Sequence, residues 1–554
     1  MRGKQIVTLS ILIIAIISYT CAIKNPTEDF RLIANFSPVS TIVSVEVKNA
    51  ATQDYIQNLT TLKIEGQDKA LAVKLTGEAE NTYTAQGGIF SFGITEDVEP
   101  SKAQPISITL LVFSDGYIST SKALRITTTG GELVTINMVE RANPPSGVTN
   151  VETRQGAANS QGATTSSIQV QTPAETASQV SAQVNISENT VIKDASGTPL
   201  QGTLNTSVTF FNGQGENVLP SFPGGLTCQV NADENGAPNE GNFITAGFLA
   251  VDITDDNGRQ AENFDQPVEF IMEIAEGMQN PETGMLVKLG DIVPAWSYND
   301  ETGEWKYEGK GAVEGPNENG KLFVRVAAIH LSYWNLDWFS NSCSYSRKII
   351  FQNWLGAYGN IYLTFKGSGN ASGWWHDAYI YNGDNWIELL NAPTFPVDII
   401  AYAGNSAGIE LGRWENVTLC GESELLLDVT IPAAILSHMG EKTFHITGIC
   451  PNDKQLAVRP TAPIWYKRDD MSSWLYAGMV VDGVITVGGI NFGDKYYLTT
   501  QYEGEWYEAA FEIGENLTNL VPEYADKITL DNVDGDHIFY TIILSEEVCD
   551  ELNN

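Results

Sequence analysis

The sequence has few basic residues and very few histidines. Its 554 residues include 31 lysines and arginines against 68 aspartates and glutamates, which gives a net charge of -37, and only 5 histidines. A field of this sign repels phosphate backbones, which argues against nucleic-acid binding. Charged residues make up 18% of the chain and hydrophobic residues 42%. The composition therefore excludes a disordered polyanion and indicates folded cores.

Catalytic motifs are missing as well. The sequence contains neither G-x-S-x-G nor H-E-x-x-H, and nothing in it singles out one pair of carboxylates. The histidines stand in unrelated contexts, at His330, His376, His438, His445 and His537. We therefore expect a protein that is not an enzyme and that holds no cofactor.

Long apolar runs are absent except at the N-terminus. There Arg2 and Lys4 precede an apolar run from Ile6 to Ile17, and Cys21 follows it. This run is too short to remain in a bilayer as a span, and no second stretch of 18 or more apolar residues occurs. Residues 1–21 are predicted to be a signal peptide, so the mature chain is expected outside the cytoplasm.

Cys21 resembles the acceptor cysteine of bacterial lipoproteins, whose thiol receives a diacylglycerol before the signal peptide is removed. The resemblance implies a lipoprotein of the outer membrane or cell surface, attached to the lipid membrane through an acylated N-terminus. Ser18 and Thr20 depart from that family, which prefers Leu and a small residue at these positions. Ordinary secretion with cleavage after Ala22 is the alternative.

The other cysteines are few, and four of them fall in two consecutive pairs. Cys343 and Cys420 flank one segment of domain size, and Cys450 and Cys549 flank another. Because disulfides persist outside the cytoplasm, these two pairs are the suggested bonds. Spacing does not determine connectivity, so crossed pairing and free buried thiols stay open. No two cysteines have the short spacing of a zinc knuckle, and we expect no metal.

Apolar residues recur at every second position, and helical periodicity is nearly absent. This alternation predicts an all-β chain of tandem antiparallel β-sandwich domains of immunoglobulin-like type after a cleaved signal peptide. A Pro-Pro break and a segment rich in Ser, Thr and Gln predict a linker. The predicted units are a sandwich at 27–142, a linker at 143–178, a β-rich module at 179–340, and two further sandwiches at 341–435 and 436–554.

The most specific pattern lies between residues 246 and 338. Trp296 and Trp305 bracket a hairpin turn that ends at Gly303, so their rings can meet on one sheet face. The W-S-Y-x3-T-G-x-W hairpin and the later H-L-S-Y-W-N-x-D strand resemble a module of cartilage intermediate layer protein and of Bacteroidota surface lipoproteins. In such proteins the module occurs among immunoglobulin-like and carboxypeptidase regulatory-like sandwiches. The resemblance implies a surface protein, and it implies no established catalytic residue.

The tripeptide His330-Leu331-Ser332 resembles the self-cleavage sites of GAIN domains. In that chemistry His330 would act as the base and Ser332 would attack the carbonyl of Leu331, forming an ester that hydrolyses. A structural histidine beside a hydrogen-bonded serine is the alternative interpretation.

Two further groups of residues are candidate binding sites. The densest aromatic cluster contains Trp374, Trp375, Tyr379 and Trp386, which would offer a platform for sugar rings if exposed or would pack in a core if not. The side chains of Asp252, Asp255 and Asp256 supply oxygens of the kind that calcium accepts, but without the spacing of a calcium loop. Most acidic turns of this kind bind nothing.

These features together predict a non-enzymatic cell-surface lipoprotein built of β-sandwich modules. Adhesion, or recognition of a glycan or an extracellular protein, is the expected function. Two alternatives stay open, a self-processing protein that cleaves its Leu331–Ser332 bond and a purely structural stalk.

Overall fold

A computed structural model describes residues 32–35, 39–215, 218–355, 359–381, 383–433, 439–451, 456–502, 505–514, 518–524, 526–546 and 549–550. The predicted signal peptide with Cys21, as well as His438, lies outside the described residues. Strands hold 57% of the chain and helices 3%, so the all-β class is confirmed. Short 3₁₀ helices occur at Lys69–Leu71, Leu219–Ser221, Gly369–Ala371 and Pro522–Tyr524.

The described part of the chain begins with a short strand that joins no sheet of the first module. This strand is β1 (Leu32–Asn35). The first module then follows with β2 (Val39–Asn49), β3 (Thr60–Glu65), β4 (Ala72–Val73), β5 (Thr82–Ala85), β6 (Ile89–Thr95), β7 (Ile106–Ser114), β8 (Thr120–Ile126) and β9 (Gly130–Met138). These strands form two four-stranded sheets, in the orders β4-β6-β2-β9 and β5-β3-β7-β8. The core between the sheets consists of residues at alternate strand positions, such as Val43, Val45 and Val47.

The second module is the largest. Its strands are β10 (Val148–Thr153), β11 (Ala157–Ala158), β12 (Ile168–Gln171), β13 (Ala182–Ile186), β14 (Ile192–Lys193), β15 (Gly202–Thr203), β16 (Asn205–Phe211), β17 (Thr227–Ala232), β18 (Asn239–Thr254), β19 (Asn263–Glu273), β20 (Gln279–Asn280), β21 (Met285–Leu286), β22 (Ile292–Asn299), β23 (Glu304–Glu314), β24 (Phe323–His330) and β25 (Tyr333–Asn341). Twelve of these strands form one sheet. Ten of them lie in the order β10-β16-β18-β25-β22-β23-β24-β19-β13-β12, and β14 and β17 pair with strands of this row.

The structure corrects the prediction of a linker at residues 143–178. These residues contain β10 and β12, which are the two ends of that twelve-stranded sheet, and β11, which pairs with β15. The segment lacks aromatic residues, but it keeps an alternation of apolar and polar positions. Ile168 and Val170 are buried while Gln169 and Gln171 face solvent. A strand needs only this alternation and a neighbour to pair with, so a polar average composition did not prevent folding.

The third module contains seven strands in two sheets. They are β26 (Ile349–Gln352), β27 (Ile361–Gly367), β28 (Trp375–Ile380), β29 (Trp386–Ile387), β30 (Val397–Ala403), β31 (Glu410–Val417) and β32 (Leu425–Asp428). The sheet orders are β29-β26-β32 and β28-β27-β30-β31. The core of this module is continuous with a part of the second module's core, so the two modules share one apolar cluster.

The fourth module follows the third in the sequence, and β1 belongs to one of its sheets. Its own strands are β33 (Met439–Ile449), β34 (Leu456–Arg459), β35 (Ala462–Arg468), β36 (Leu475–Val480), β37 (Val484–Asn491), β38 (Asp494–Tyr502), β39 (Glu505–Ile513), β40 (Thr518–Leu520), β41 (Ile528–Asp534) and β42 (His537–Ile543). One sheet has the order β1-β34-β33-β42-β41, with β37 also paired to β33, and the other has the order β36-β35-β38-β39-β40. β1 is parallel to β34, with Leu32 opposite Leu456.

The modules do not follow one another in a row, because the first module contacts all three others. Ser121 donates a hydrogen bond to the Tyr298 hydroxyl of the second module at 2.9 Å. Lys102 pairs with Glu388 of the third module at 2.9 Å. Trp465 of the fourth module donates from its indole Nε1 to Glu46 at 2.9 Å. The chain therefore folds back on itself around its first module.

Disulfide bonds join Cys343 to Cys420 and Cys450 to Cys549, the pairs that the order of the cysteines suggested. Cys228 is a buried free thiol. Among the described residues, no helix is both long enough and apolar enough to pass through a bilayer.

The hairpin that carries Trp296 and Trp305 is buried in the core. Trp296 and Trp305 are both fully enclosed, and the Phe243 ring lies 5.0 Å from the first and 5.4 Å from the second, between ring centroids. The two indoles thus pack around a phenylalanine from β18, which is the stabilising role that their positions on one hairpin predicted.

Candidate binding cleft between the first and fourth modules

The predicted aromatic cluster does not form one platform. Trp374 is only 1% exposed, and its indole Nε1 donates to Asn242 of the second module at 3.0 Å. Trp375 is half-buried beneath the Lys366 ammonium, which lies 4.9 Å from its ring centroid. Neither ring is free to stack on a sugar.

The other two members of the cluster point elsewhere. Tyr379 packs 5.0 Å from Tyr362. Burial raises the pKa of Tyr379 to about 12, and Glu46 of the first module adds to the rise while the Lys48 charge opposes it. Trp386 is 43% exposed, but the Lys348 ammonium covers its ring at 4.1 Å. The four side chains are therefore divided between a core, a module junction and the surface. Trp375 and Tyr379 belong to β28, Trp374 precedes that strand, and Trp386 belongs to β29 of the other sheet.

His330 and Ser332 have separate partners. The His330 Nε2 lies 3.4 Å from Glu308, and its ring packs 5.2 Å from Trp334. The Ser332 hydroxyl donates to the Tyr298 carbonyl and accepts from the Tyr298 N–H at 3.2 Å, so it joins the turn between β24 and β25 to β22. These contacts fit the structural interpretation of both residues.

The three aspartates are held by the protein itself. Asp252 pairs with Arg141 at 3.0 Å, and Asp256 accepts the Thr203 N–H at 2.7 Å. Asp255 is buried and pairs with Arg259 at 2.6 Å. Burial raises the pKa of Asp255, but backbone N–H groups and the arginine outweigh it and lower the pKa to about 2. Among the described residues, no group of three or more metal-binding side chains is present.

A different constellation forms a cleft of about 660 Å³ between the first and fourth modules. This volume lies in the range of small-molecule sites. We call it the inter-module cleft. Its lining residues are Asp54, Tyr55, Gln57, Gln86, Gly87, Ile89, Lys467, Ser472, Ser473, Trp474, Thr499, Trp506 and Glu508.

The floor of the cleft is the outer face of the five-stranded sheet of the fourth module. Along β39, Ala509 and Phe511 point into the core of the sandwich, so Trp506 and Glu508 point outward. Thr499 lies opposite Glu508 on β38 and belongs to the same face. Trp506 is 39% exposed, so part of its indole ring faces the cleft.

One wall of the cleft comes from the fourth module. The Lys467 ammonium lies 4.5 Å from the Trp474 ring centroid and 5.4 Å from that of Tyr497. This cation–π stacking holds the lysine and the Trp474 ring beside the floor.

The opposite wall comes from two turns of the first module. Asp54 and Gln57 belong to the β2–β3 connection, and Gln86 and Gly87 to the β5–β6 turn. Gly87 has a left-handed backbone with a φ of +86°, and a β-carbon at this position would lie 3.9 Å from the Trp506 ring. The glycine therefore makes the tight turn and brings its backbone close to the indole.

A buried polar cluster fixes the two modules beneath the cleft. Glu46 of β2 accepts hydrogen bonds from the Tyr55 hydroxyl at 2.6 Å and from the Trp465 indole, and it pairs with Lys48 at 2.7 Å. Burial alone would raise the pKa of Glu46, but the Lys48 charge and these hydrogen bonds lower it, so the group is a carboxylate. Separating this buried carboxylate from its partners would cost free energy, so the cluster makes the junction rigid.

The chemistry of the cleft suits a hydroxyl-rich ligand. An indole face offers a flat apolar surface, while amides, hydroxyls and carboxylates around it offer hydrogen-bond donors and acceptors. Aromatic and polar groups converging in one concave site are the usual features of a small-molecule site.

The sequence analysis did not identify this site. Its residues come from four separate parts of the chain, at 54–57, 86–89, 467–474 and 499–508. The one local signal is Trp506, whose strand places it out of phase with the buried Phe511 and Ala509. The pairing of the first with the fourth module carries no local signal.

Comparison with known proteins found no matching family model and no matching curated protein. Among solved structures, similarity extends to the pilus adhesin SpaC of Lactobacillus rhamnosus GG, at 9% identity and a TM-score of 0.15, over 88% of this chain and 57% of the adhesin. The major pilin of Bacillus cereus matches at 8% identity and a TM-score of 0.13, over 91% of this chain and 99% of the pilin. A streptococcal ancillary pilin matches at 9% identity and a TM-score of 0.12, over 47% of this chain and 95% of the pilin.

This chain thus spans a little over half the length of the adhesin. At these scores the matches carry no argument about what the chain binds.

Proposed function

We propose that this protein is an exported, lipid-anchored surface protein that binds a glycan in the inter-module cleft. The observation that carries the proposal is the exposed Trp506 ring on the floor of a cleft of about 660 Å³, with Gln57, Gln86 and Glu508 in the lining. A pyranose ring presents an apolar face to stack on an indole and hydroxyls at its edge for the polar lining.

The electrostatic character of the protein favours a neutral sugar over an acidic one. The net charge of -37 repels anions, and the cleft lining contains the carboxylates of Asp54 and Glu508 against the single ammonium of Lys467. A carboxylate also accepts two hydrogen bonds from neighbouring sugar hydroxyls, which a neutral amide does less strongly. We therefore assign the ligand to the class of uncharged oligosaccharides.

The test is the binding of the purified full chain to an array of neutral and acidic oligosaccharides, with the Trp506→Ala variant beside it. We expect the wild type to bind at least one neutral glycan and Trp506→Ala to bind it at least tenfold more weakly, because stacking on an aromatic ring is lost. Trp386→Ala is the matched control, since it removes an indole of similar exposure from another module. It should bind as the wild type does.

Two outcomes would contradict the proposal. One is a wild-type chain that binds no glycan on the array. The other is an equal loss of binding in both variants, which would place the effect outside the cleft. Circular dichroism on each variant separates a loss of binding from a loss of fold.

A further inference from the structure

A pair of histidines on the fourth module is the second feature that the sequence motifs did not predict. His445 lies on β33 and His537 begins β42, and these strands are parallel neighbours in the six-stranded sheet. The inward positions beside them, Phe444 and Ile538, are fully buried. The two imidazoles therefore stand on the outer face of this sheet, whereas the inter-module cleft uses the outer face of the other sheet.

The two rings touch through their nitrogens. The Nε2 of His445 lies 2.9 Å from the Nδ1 of His537, which is the distance of a hydrogen bond. One of these nitrogens carries the shared hydrogen and the other accepts it. Both nitrogens are thus directed at the same point between the rings.

We propose that His445 and His537 together bind one divalent transition-metal ion of the imidazole-preferring class, Zn²⁺, Cu²⁺ or Ni²⁺. Metal–nitrogen bonds of about 2.0–2.1 Å at a tetrahedral angle place two ligand nitrogens about 3.3 Å apart. The pair has to open by only a few tenths of an ångström to reach that separation. The hydrogen between the rings moves to the other nitrogen of its own ring, so both imidazoles bind as neutral ligands.

The surroundings hold His445 in place for this role. The Phe539 ring stacks on it at 4.2 Å between centroids, with an angle of 10° between the planes. A ring that is already oriented loses little freedom when a metal binds.

The charge near the site permits a cation. The positive charge of Arg459 acts electrostatically on His445, but its guanidinium is paired with Asp482 at 3.5 Å. The whole molecule is strongly acidic and concentrates divalent cations near its surface. Imidazole is a preferred ligand of all three metals, whereas calcium and magnesium prefer oxygen.

No third metal-binding side chain completes the site among the described residues. Water fills the remaining coordination positions, as in sites that keep an open position for a further ligand. A group from another molecule can take such a position. The inference is independent of glycan binding, because the two sites lie on different sheets.

The test uses the full chain purified without a polyhistidine tag and dialysed against a chelator. Titration calorimetry with Zn²⁺ alone, in 150 mM salt to screen the general negative charge, measures stoichiometry and affinity. We expect one ion per chain. Both His445→Gln and His537→Gln should bind it at least tenfold more weakly, since one ligand cannot replace two. His330→Gln, which removes a half-buried histidine of the second module, is the matched control and should bind as the wild type does.

Cu²⁺ provides a second readout that does not depend on affinity. Its electron paramagnetic resonance spectrum should show hyperfine coupling to two imidazole nitrogens in the wild type and to one in each variant. The inference is overturned if the wild type binds no Zn²⁺ above the level of the His445→Gln/His537→Gln double variant. It is also overturned if His330→Gln loses binding to the same extent, or if the Cu²⁺ spectrum shows no imidazole nitrogen.

Discussion

At the scale of single residues, the junction between the first and third modules encloses several ionisable groups. Burial lowers the pKa of His376 from 6.5 to about 4, and the nearby Lys122 charge adds to this effect. Burial raises the pKa of Glu132 to about 7, although Lys122 opposes the rise. The folded protein therefore favours the neutral form of each group, for His376 down to a pH of about 4 and for Glu132 up to a pH of about 7.

We expect His376 to make the protein less stable in mild acid. Between pH 6.5 and 4 the unfolded chain binds a proton at this histidine that the folded chain does not bind, so stability falls as the pH falls through this window. The His376→Phe variant lacks this proton. The wild type should lose about 2 kcal/mol more than the variant, at most, between pH 7 and pH 5. Urea midpoints at the two pH values measure the difference.

Glu132 titrates in an overlapping window with the opposite sign, so only the difference between the variant and the wild type isolates His376. Above its ordinary value of 4.5 and up to about 7 the folded chain holds a proton on Glu132 that the unfolded chain has lost. Its contribution therefore falls as the pH rises. If His376→Phe and the wild type lost stability equally, His376 would not be the group that titrates.

At the scale of elements, β1 links the fourth module to the first. It pairs in parallel with β34 and thereby extends the six-stranded sheet of the fourth module. The next strand, β2, belongs to the first module. Consecutive strands of the chain thus belong to the fourth and the first modules, which ties together the two modules that form the inter-module cleft.

We expect a disulfide between residues 34 and 458 to form in the double variant Ala34→Cys/Val458→Cys. These positions are register partners, and paired strands bring their backbones within the range that a disulfide spans. Mass spectrometry of non-reduced peptides would detect the cross-link. The control combines Ala34→Cys with Ala457→Cys, whose side chain points to the other face of the sheet. Equal cross-linking in both variants would contradict the parallel register.

At the scale of the whole molecule, the four modules form one body around the first module. Strand β2 is buried on both faces, and this shows how the first module packs against another module. Val43 and Val45 lie in the core of its own sandwich, whereas Ile42 packs against Met479 of the fourth module. Packing of this kind places the cleft at a junction, where its shape depends on two modules at once. A stalk of modules in file would not form such a cleft.

The position of the molecule in the cell envelope is the remaining whole-molecule prediction. The proposed anchor at Cys21 is 11 residues before β1, so even a fully extended chain would keep β1 within about 40 Å of the acylated cysteine. We expect Cys21→Ser to move the protein from the membrane fraction to the soluble exported fraction, because no acyl chain can then be attached. Fractionation of the native host, with mass measurement of the mature protein, checks this. Retention of Cys21→Ser in the membrane would contradict lipid anchoring.

The sequence by itself determined the fold class of this protein, because alternating apolar positions can bury one face only as strands. It also indicated the packing role of Trp296 and Trp305, whose hairpin is local. Its composition did not show that residues 143–178 form strands, because the segment is polar on average and β10 and β11 pair with strands that lie more than 40 residues further along the chain.

Only the tertiary structure decided which outward positions become buried. Glu46 has the spacing of a solvent-facing residue of β2, yet it is 2% exposed because the fourth module covers that face. The same packing brings Trp506 beside Gly87 and leaves both in a cleft, and strand pairing brings His445 beside His537. Such neighbours are set by how sheets pack and pair over long distances, and a local pattern of residues does not encode which surface will meet which.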